Sequence, residues 1–422
     1  MPLNLIPGTP LNDTLDGTLG RDRIFGFFGD DDIYGDGRVV PDAPTGPGSS
    51  LLVGANDIIY GNEGRDALYG DGTALSAQGG TANLVGGNDR MFGGANNDEL
   101  FGDGRAAGAF ANSILTGGND TMRGQEGNDV IWGDGIAGYG RARGTLDGGE
   151  DRLIGGIGDD TVYGDGRAEV VNGADDFISG GRGDDLLMGD GIGHPTLNGG
   201  NDTIKAGRGD DVIYGDGEAS TIYGGPAVVT GGDDCLVGGG GNDMIYGDGT
   251  ATGAGFLGQI IGGHDVLFGG RGEDTMIGDG TANGSANLIG ASIIGGDDIL
   301  NGGKGADILW GDGTAEAGNV GGEEIIGGAD TFVFAAKDGA DTIMDFRSAD
   351  GDVLDLRWTG ILWSALDSDN SGLLDDSDQF VASDGTDTQI DIGLAAGSSG
   401  ADRHTVTLLG TTGLQEGDFM LI

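Results

Sequence analysis

The sequence predicts an all-β chain: a parallel β-solenoid of the β-roll kind, with inserts along one edge that each begin at a GDG triplet, capped by a C-terminal β-rich domain. Three observations predict it. A nine-residue pattern, G-G-x-G-x-D-x-U-x with U apolar, returns in ten paired copies between residues 12 and 313, and fixed-period repeats of this kind mark solenoids. Its aspartate is invariant and its apolar position keeps its character throughout. Glycines fill the turns between, and a GDG triplet opens every longer gap.

The pattern is clearest from Gly117 to Gly135, GGNDTMRGQEGNDVIWGDG, where Asp120 and Asp129 lie nine residues apart and Met122 and Ile131 follow each aspartate by two. The whole column reads Asp22, Asp31, Asp57, Asp66, Asp89, Asp98, Asp120, Asp129, Asp151, Asp160, Asp176, Asp185, Asp202, Asp211, Asp234, Asp243, Asp265, Asp274, Asp298 and Asp307. Two residues on, every position from Ile24 and Ile33 to Leu300 and Leu309 is Ile, Leu, Val or Met. Nine residues give room for a tight glycine turn and a three-residue strand with the U side chain on one face. Two such strands make one coil.

Between pairs the step is longer, 16 to 26 residues. It opens with GDG, from Gly35-Asp36-Gly37 to Gly311-Asp312-Gly313, carries a variable insert, and closes on an apolar doublet such as Leu84-Val85 or Ile293-Ile294 that can add a short third strand. Residues 1–11 are a lead-in, 12–326 the roll, and 327–422 the C-terminal domain. The proline-rich insert 38–50 is expected to be a loop. The residue after U in the second strand forms a largely aromatic stripe, Tyr34, Tyr69, Phe101, Trp132, Tyr163, Met188, Tyr214, Tyr246, Ile277 and Trp310. Either the inserts fold back and bury it, or it is an exposed ladder for a glycan or an apolar surface.

Composition narrows the partners. The formal charge is -50, 97 of 422 residues are glycine, and lysine occurs only at Lys205, Lys304 and Lys337. Nucleic acid and anionic membrane are poor partners for such a chain. Low aromatic content and high charge would argue for disorder, but the strict period argues for order. No apolar run is long enough to span a membrane, and the start MPLNLIPGTPLNDTLDG lacks a basic region followed by an apolar one. Cys235 is the single cysteine; it is expected to point outward, as a bystander or an intermolecular bridge.

Stacked coils would place equivalent aspartates about 4.8 Å apart, where two charges repel by about 3.5 kcal/mol at an effective dielectric near 20. Cations between them would remove that cost. Carboxylates and turn carbonyls are hard oxygen donors that suit Ca²⁺, at multiple sites, whereas His194, His264 and His404 are too scattered for a softer metal.

On these residues the chain resembles the repeats-in-toxin (RTX) family of secreted bacterial proteins. The resemblance implies that the twenty aspartates bind calcium between successive turns with backbone carbonyls of the glycine loops. The GDG insert departs from the family pattern and puts the second calcium row in doubt. Asp36, Asp71, Asp103, Asp134, Asp165, Asp190, Asp216, Asp248, Asp279 and Asp312 are either extra ligands there or solvated turn carboxylates.

After GGADTFVF (327–334), with Asp330 as a further metal candidate, the repeat gives way to ordinary sequence. DTIMDF (341–346), GDVLDL (351–356) and the ending EGDFMLI are similar to the C-terminal domain of serralysin-type metalloproteases, which implies a cap and an uncleaved signal for a type I secretion exporter. Within it Asp367, Asp369, Ser371, Gly372, Leu373, Asp375 and Asp378 follow the spacing of an EF-hand calcium loop, with Asp in place of Glu at the last position.

The functional expectation is a secreted, extracellular calcium-binding protein of structural or adhesive type that folds on Ca²⁺ binding after export. Its partners would be the exporter, another copy of itself, a polysaccharide or a cell surface. The alternative is an enzyme or toxin accessory, protease, lipase or glycan-active, working on the insert face. No HExxH, no GxSxG and no separate catalytic region stands before the repeats, so the chain is not expected to be an enzyme. Apolar helices for a pore are not visible. A threonine array for ice binding is missing too, since its position reads Arg90, Glu99, Thr121, Val130, Arg152 and Thr161.

Overall fold

In the computed structural model, residues 3–40, 48–77, 79–108, 112–138, 143–221, 225–254, 256–284, 290–316, 323–398 and 404–422 are described. Most coils of the solenoid carry four short strands; in two, the third and fourth run on as one, Gly166–Asn172 and Gly191–Asn198. In a four-stranded coil these are Thr121–Glu126, Val130–Trp132, Gly135–Ala137 and Gly144–Asp147. The first strands stack in parallel into a 14-stranded sheet, the second into a 15-stranded sheet, and the third and fourth together into an 18-stranded sheet. Registers repeat coil after coil: Met91 faces Met122 and Met122 faces Leu153, while Leu100 faces Ile131.

The period sets this register because side chains alternate between faces along a strand. All twenty U residues are fully buried in one core between the first two sheets, each stabilising the fold by about 1.5–3 kcal/mol. The solenoid and its parallel pairing are those the repeat predicts. The inserts, however, are more than decoration. The residues after GDG form the third strand, and the apolar doublet forms the fourth. Between them lies a second core, in which Ala74, Ala106 and Ala137 from the third strands meet Leu84, Leu115 and Leu146 from the fourth. A coil built from two strands, or three with the doublet, is therefore corrected to one that adds both segments, as two strands in most coils and as one continuous strand in two. The loop expected over 38–50 lies partly outside the described residues; the strands Gly37–Val39 and Ser50–Val53 flank it.

The third strands also decide the fate of the aromatic stripe. Its rings stack from coil to coil, Tyr34 to Tyr69 at 4.7 Å, Tyr69 to Phe101 at 4.9 Å and Trp132 to Tyr163 at 3.8 Å between centroids. Phe101 is 0% and Tyr69 7% exposed, and the Arg105 guanidinium covers both from the neighbouring strand, 4.6 Å and 5.4 Å from the ring centres. An exposed aromatic ladder is thereby overturned at these positions, while Tyr34, Trp132, Tyr163, Tyr214, Tyr246 and Trp310 are half-buried. Cys235 is half-buried at the start of a first-sheet strand.

Beyond the repeats the first two sheets run on. Thr331–Val333, Val353–Asp355 and Phe419–Met420 extend the first, Ala340–Ile343 and Thr405–Leu408 the second. Two antiparallel strands, Thr388–Asp391 and Val381–Ser383, then close its edge. The third and fourth strands end at Gly313–Glu316 and Glu324–Ile326. Phe332, Phe334, Ile343 and Leu354 continue the U core into this region without a break.

Candidate metal centres

The twenty aspartates sit at the turns that enter the first and second strands, and all are buried. They form two columns. In one, Asp98 donates its backbone N–H to Asp129 Oδ1 and Asp129 donates to Asp160 Oδ1, each at 2.8 Å. In the other, Asp89, Asp120 and Asp151 each donate to the next aspartate's Oδ1 at 2.6 Å. The second column runs without a gap past every GDG insert, so the inserts do not interrupt it.

One carboxylate oxygen is thus spent on the neighbouring coil. The other, Oδ2 in every aspartate from Asp31 to Asp307 and Oδ1 in Asp22, is buried with no hydrogen-bond partner. Orphaned buried oxygens at this frequency require a partner. Their surroundings identify its type. A Cβ built on Gly124 would overlap Asp129 Oδ2 and lie 2.8 Å from the Gly155 carbonyl oxygen. On Gly133 it would overlap both Asp151 Oδ2 and the Gly164 carbonyl oxygen. Each glycine therefore keeps open a small volume faced by a carboxylate and a carbonyl from the next coil. All donors are oxygen, as a hard cation such as Ca²⁺ prefers. One position breaks the rule: Ala206 stands opposite Gly238 in the ladder and puts a methyl where the other coils have none.

Electrostatics agree. Burial raises Asp57, Asp98 and Asp160 to about 8 and Asp330 to about 9. Asp66, Asp129, Asp185 and Asp243, of the same column as Asp98 and Asp160, rise to about 6, again through burial, with the neighbouring N–H holding them down in part. A cation in each cradle would reverse this preference for the neutral acid.

The columns reach further than the nonapeptides. Asp13 donates to Asp31 Oδ1 at one end. At the other, Asp298 donates to Asp330, Asp330 to Asp352, and Asp307 to Asp341. Asp330 thus takes its expected place, whereas Asp13 was missed because the glycine-poor segment before Asp22 was read as a lead-in, and Asp341 and Asp352 because no full nonapeptide surrounds them. Protein cations meet one of these ends and the last GDG aspartate, Asp312. His404 Nε2 lies 2.8 Å from Asp341 Oδ2, both fully buried, and its Nδ1 faces the Ala335 carbonyl. Burial alone would push the imidazole down, but the Asp341 carboxylate and the carbonyl outweigh it, so its pKa is raised. Arg347 Nη1 approaches Asp312 Oδ2 at 3.7 Å.

The C-terminal loop has the geometry its spacing predicts. Carboxylate oxygens of Asp367, Asp369 and Asp378 converge within 4.8 Å of one another. Asp367 accepts the N–H groups of Ser371 at 2.9 Å and Gly372 at 3.1 Å, and Asp378 accepts that of Ser368 at 2.7 Å. Gly372, at φ 84, makes the sharp turn that the sixth loop position requires. Ser371 Oγ donates to the Leu373 carbonyl, and Asp375 accepts from Ser377 N–H rather than turning inward.

No curated protein matches the chain. A family model described as the RTX calcium-binding nonapeptide repeat matches ten segments, 7–37, 54–73, 85–104, 115–135, 145–166, 170–191, 197–226, 228–251, 262–283 and 294–315. Together they span more than half of the chain, and each carries a described pair of columns or its edge. With the parallel roll, the twin aspartate columns and this match, the chain belongs to the family of RTX calcium-binding repeat proteins.

Proposed function

We propose that the protein is a secreted structural or adhesive module that stays unfolded at the low calcium of the cytosol, leaves through a type I exporter, and folds outside. The observation that carries this reading is the orphaned buried oxygen on each of the twenty column aspartates. The protein alone leaves these groups without counter-charge, so the folded state is favoured only where calcium is plentiful. Asp Oδ2 and the glycine carbonyls would hold the ions, and bound calcium would supply the positive charge between coils. Binding and folding are then one process, and an ion at 100 times its dissociation constant adds about 2.7 kcal/mol per site.

The C-terminal stretch resembling the serralysin cap supports export, with residues 327–422 as cap and signal. No helix among the described residues is long and apolar enough to cross a membrane. Binding rather than catalysis is the role read here; protease, lipase and glycan-lyase assays in millimolar calcium test that part, and turnover in any of them would refute it. Outside the cell the partner would be a second copy, a polysaccharide or a cell surface. Far-UV circular dichroism on heating, with and without chelator, tests the folding claim. A transition seen only with calcium supports it, and coincident curves reject it.

A further inference from the structure

We propose that the GDG aspartates form a third column of cation sites, separate from the two nonapeptide columns. All ten are buried: Asp71, Asp103, Asp134, Asp165, Asp190 and Asp216 are 0% exposed. One oxygen of each accepts a backbone N–H at the head of the next coil segment. Gly87 donates to Asp71 at 2.9 Å, Gly118 to Asp103 at 3.1 Å and Gly232 to Asp216 at 3.1 Å. The other oxygen, such as Asp134 Oδ1, Asp165 Oδ1, Asp190 Oδ2 or Asp216 Oδ2, is buried without a hydrogen-bond partner.

These orphaned oxygens share their space in a way the nonapeptide columns do not. A Cβ on Gly199 would lie 2.9 Å from Asp190 Oδ2 and overlap Asp216 Oδ1. On Gly231 it would lie 2.9 Å from Asp216 Oδ2 and overlap Asp248 Oδ1. Two carboxylates from successive coils therefore face one glycine-walled gap, and the gap recurs up the stack. The cradles of the second column lie elsewhere, at Gly133 and its equivalents. Along the stack the carboxyl of Asp134 lies close to those of Asp103 and Asp165, one coil to either side. Among the described residues the recorded cationic contacts to this column come from Arg347 on its last member, Asp312.

In each of these gaps one oxygen accepts a backbone N–H, Asp216 Oδ1 from Gly232 and Asp248 Oδ1 from Gly263, while the other is orphaned; a buried carboxylate pair so placed needs either a shared proton or an ion. Two anionic oxygens per gap, in an all-oxygen wall, fit a hard divalent cation of the calcium type better than a monovalent one. The inserts would then add binding sites to the roll as well as strands. The proposal rests on calcium binding at the first two columns, and its test separates the two ideas.

The experiment counts bound calcium per chain by equilibrium dialysis for the full-length protein and for the triple variant Asp165→Asn, Asp190→Asn, Asp216→Asn, whose near-isosteric amides keep the backbone contacts. The three side chains line four successive gaps, so the expected result is a count lower by about two to four ions, with calcium-driven folding retained. An unchanged count overturns the third column and leaves shared protons as its explanation. Should the variant fail to fold, anomalous diffraction from calcium-loaded crystals of the unaltered protein decides. Peaks between Asp165 and Asp190, additional to those at the nonapeptide cradles, support the column. Occupied nonapeptide cradles with nothing there overturn it, and no bound ion anywhere would refute calcium binding itself.

Discussion

Asp120 donates its backbone N–H to Oδ1 of Asp151 at 2.6 Å, one coil further on, while the Oδ2 of Asp151 has no hydrogen-bond partner. The bond pins the coils in register, and the orphaned oxygen makes their stacking depend on something the chain does not contain. Substituting a column aspartate should therefore act differently with and without calcium. For Asp120→Asn we predict a loss of about 2–3 kcal/mol in millimolar calcium, the linkage of one well-filled site, and little loss or a gain in chelator, where one repulsive charge is gone. Urea unfolding in both conditions measures it; equal losses would contradict the assignment of Oδ2 to an ion.

Proton linkage gives a second expectation. Burial raises the folded pKa of Asp57, Asp98, Asp160 and Asp330 to about 8 or 9, and of Asp66 and Asp129 to about 6. Unfolded aspartates titrate near 3.9. The calcium-free folded chain thus binds more protons than the unfolded one across that window. Its stability is greatest below about pH 4 and is lost as pH rises through the folded values. In calcium-free buffer the chain should be more compact near pH 4.5 than at pH 8, and calcium added to the compact chain near pH 4.5, where its buried carboxyls hold protons, should release them. Compaction that grows with pH in calcium-free buffer would contradict this.

Ala206 tests the cradle itself. Its methyl stands at the ladder position that glycine holds in the other coils, five residues before Asp211 as Gly238 is before Asp243, and the Oδ2 of Asp211 is orphaned. Ala206→Gly should raise the calcium affinity of that site and the melting temperature in calcium. In chelator it should destabilise by about 0.5–1 kcal/mol, from backbone entropy. Calorimetric titration and melting curves distinguish the two.

A calcium-independent control lies at Gln125, which holds φ 89 where the equivalent Gly156 and Gly181 hold 135 and 127. Bulky residues resist that region. Gln125→Gly should stabilise by about 1 kcal/mol equally with and without calcium, as read by urea unfolding.

The C-terminal loop is testable alone within the full chain. Asp369 is exposed and takes part in the carboxylate cluster. Asp369→Ala should weaken terbium luminescence excited through the nearby Trp363 several-fold, while the calcium-induced folding of the roll stays as it is. Unchanged luminescence would remove the loop from the set of sites.

The columns and the U core were legible because their signal is a strict period: an aspartate and an apolar residue at fixed offsets cannot be read otherwise over so many copies. The third strand was present in the sequence but unread. Its signal is the alanine two residues after GDG, as in Ala74, Ala106 and Ala251, which packs against the inner residue of the doublet. Period alone did not show that Asp341 and Asp352 prolong the columns, because the glycine turns that flag a ligand have gone. His404 reaches Asp341 across 63 residues, and no local pattern announces such a contact. The stripe from Tyr34 to Trp310 was visible, but only the return of the third strand decides that Tyr69 and Phe101 are buried.

Sedimentation velocity of the purified chain, first in chelator and then across a calcium titration to millimolar, tests the central claim most directly. A slow, expanded species that sharpens with calcium into one compact species, or into compact species that go on to assemble, is the predicted result. A sedimentation coefficient unchanged by calcium would mean that the aspartate columns do not govern folding.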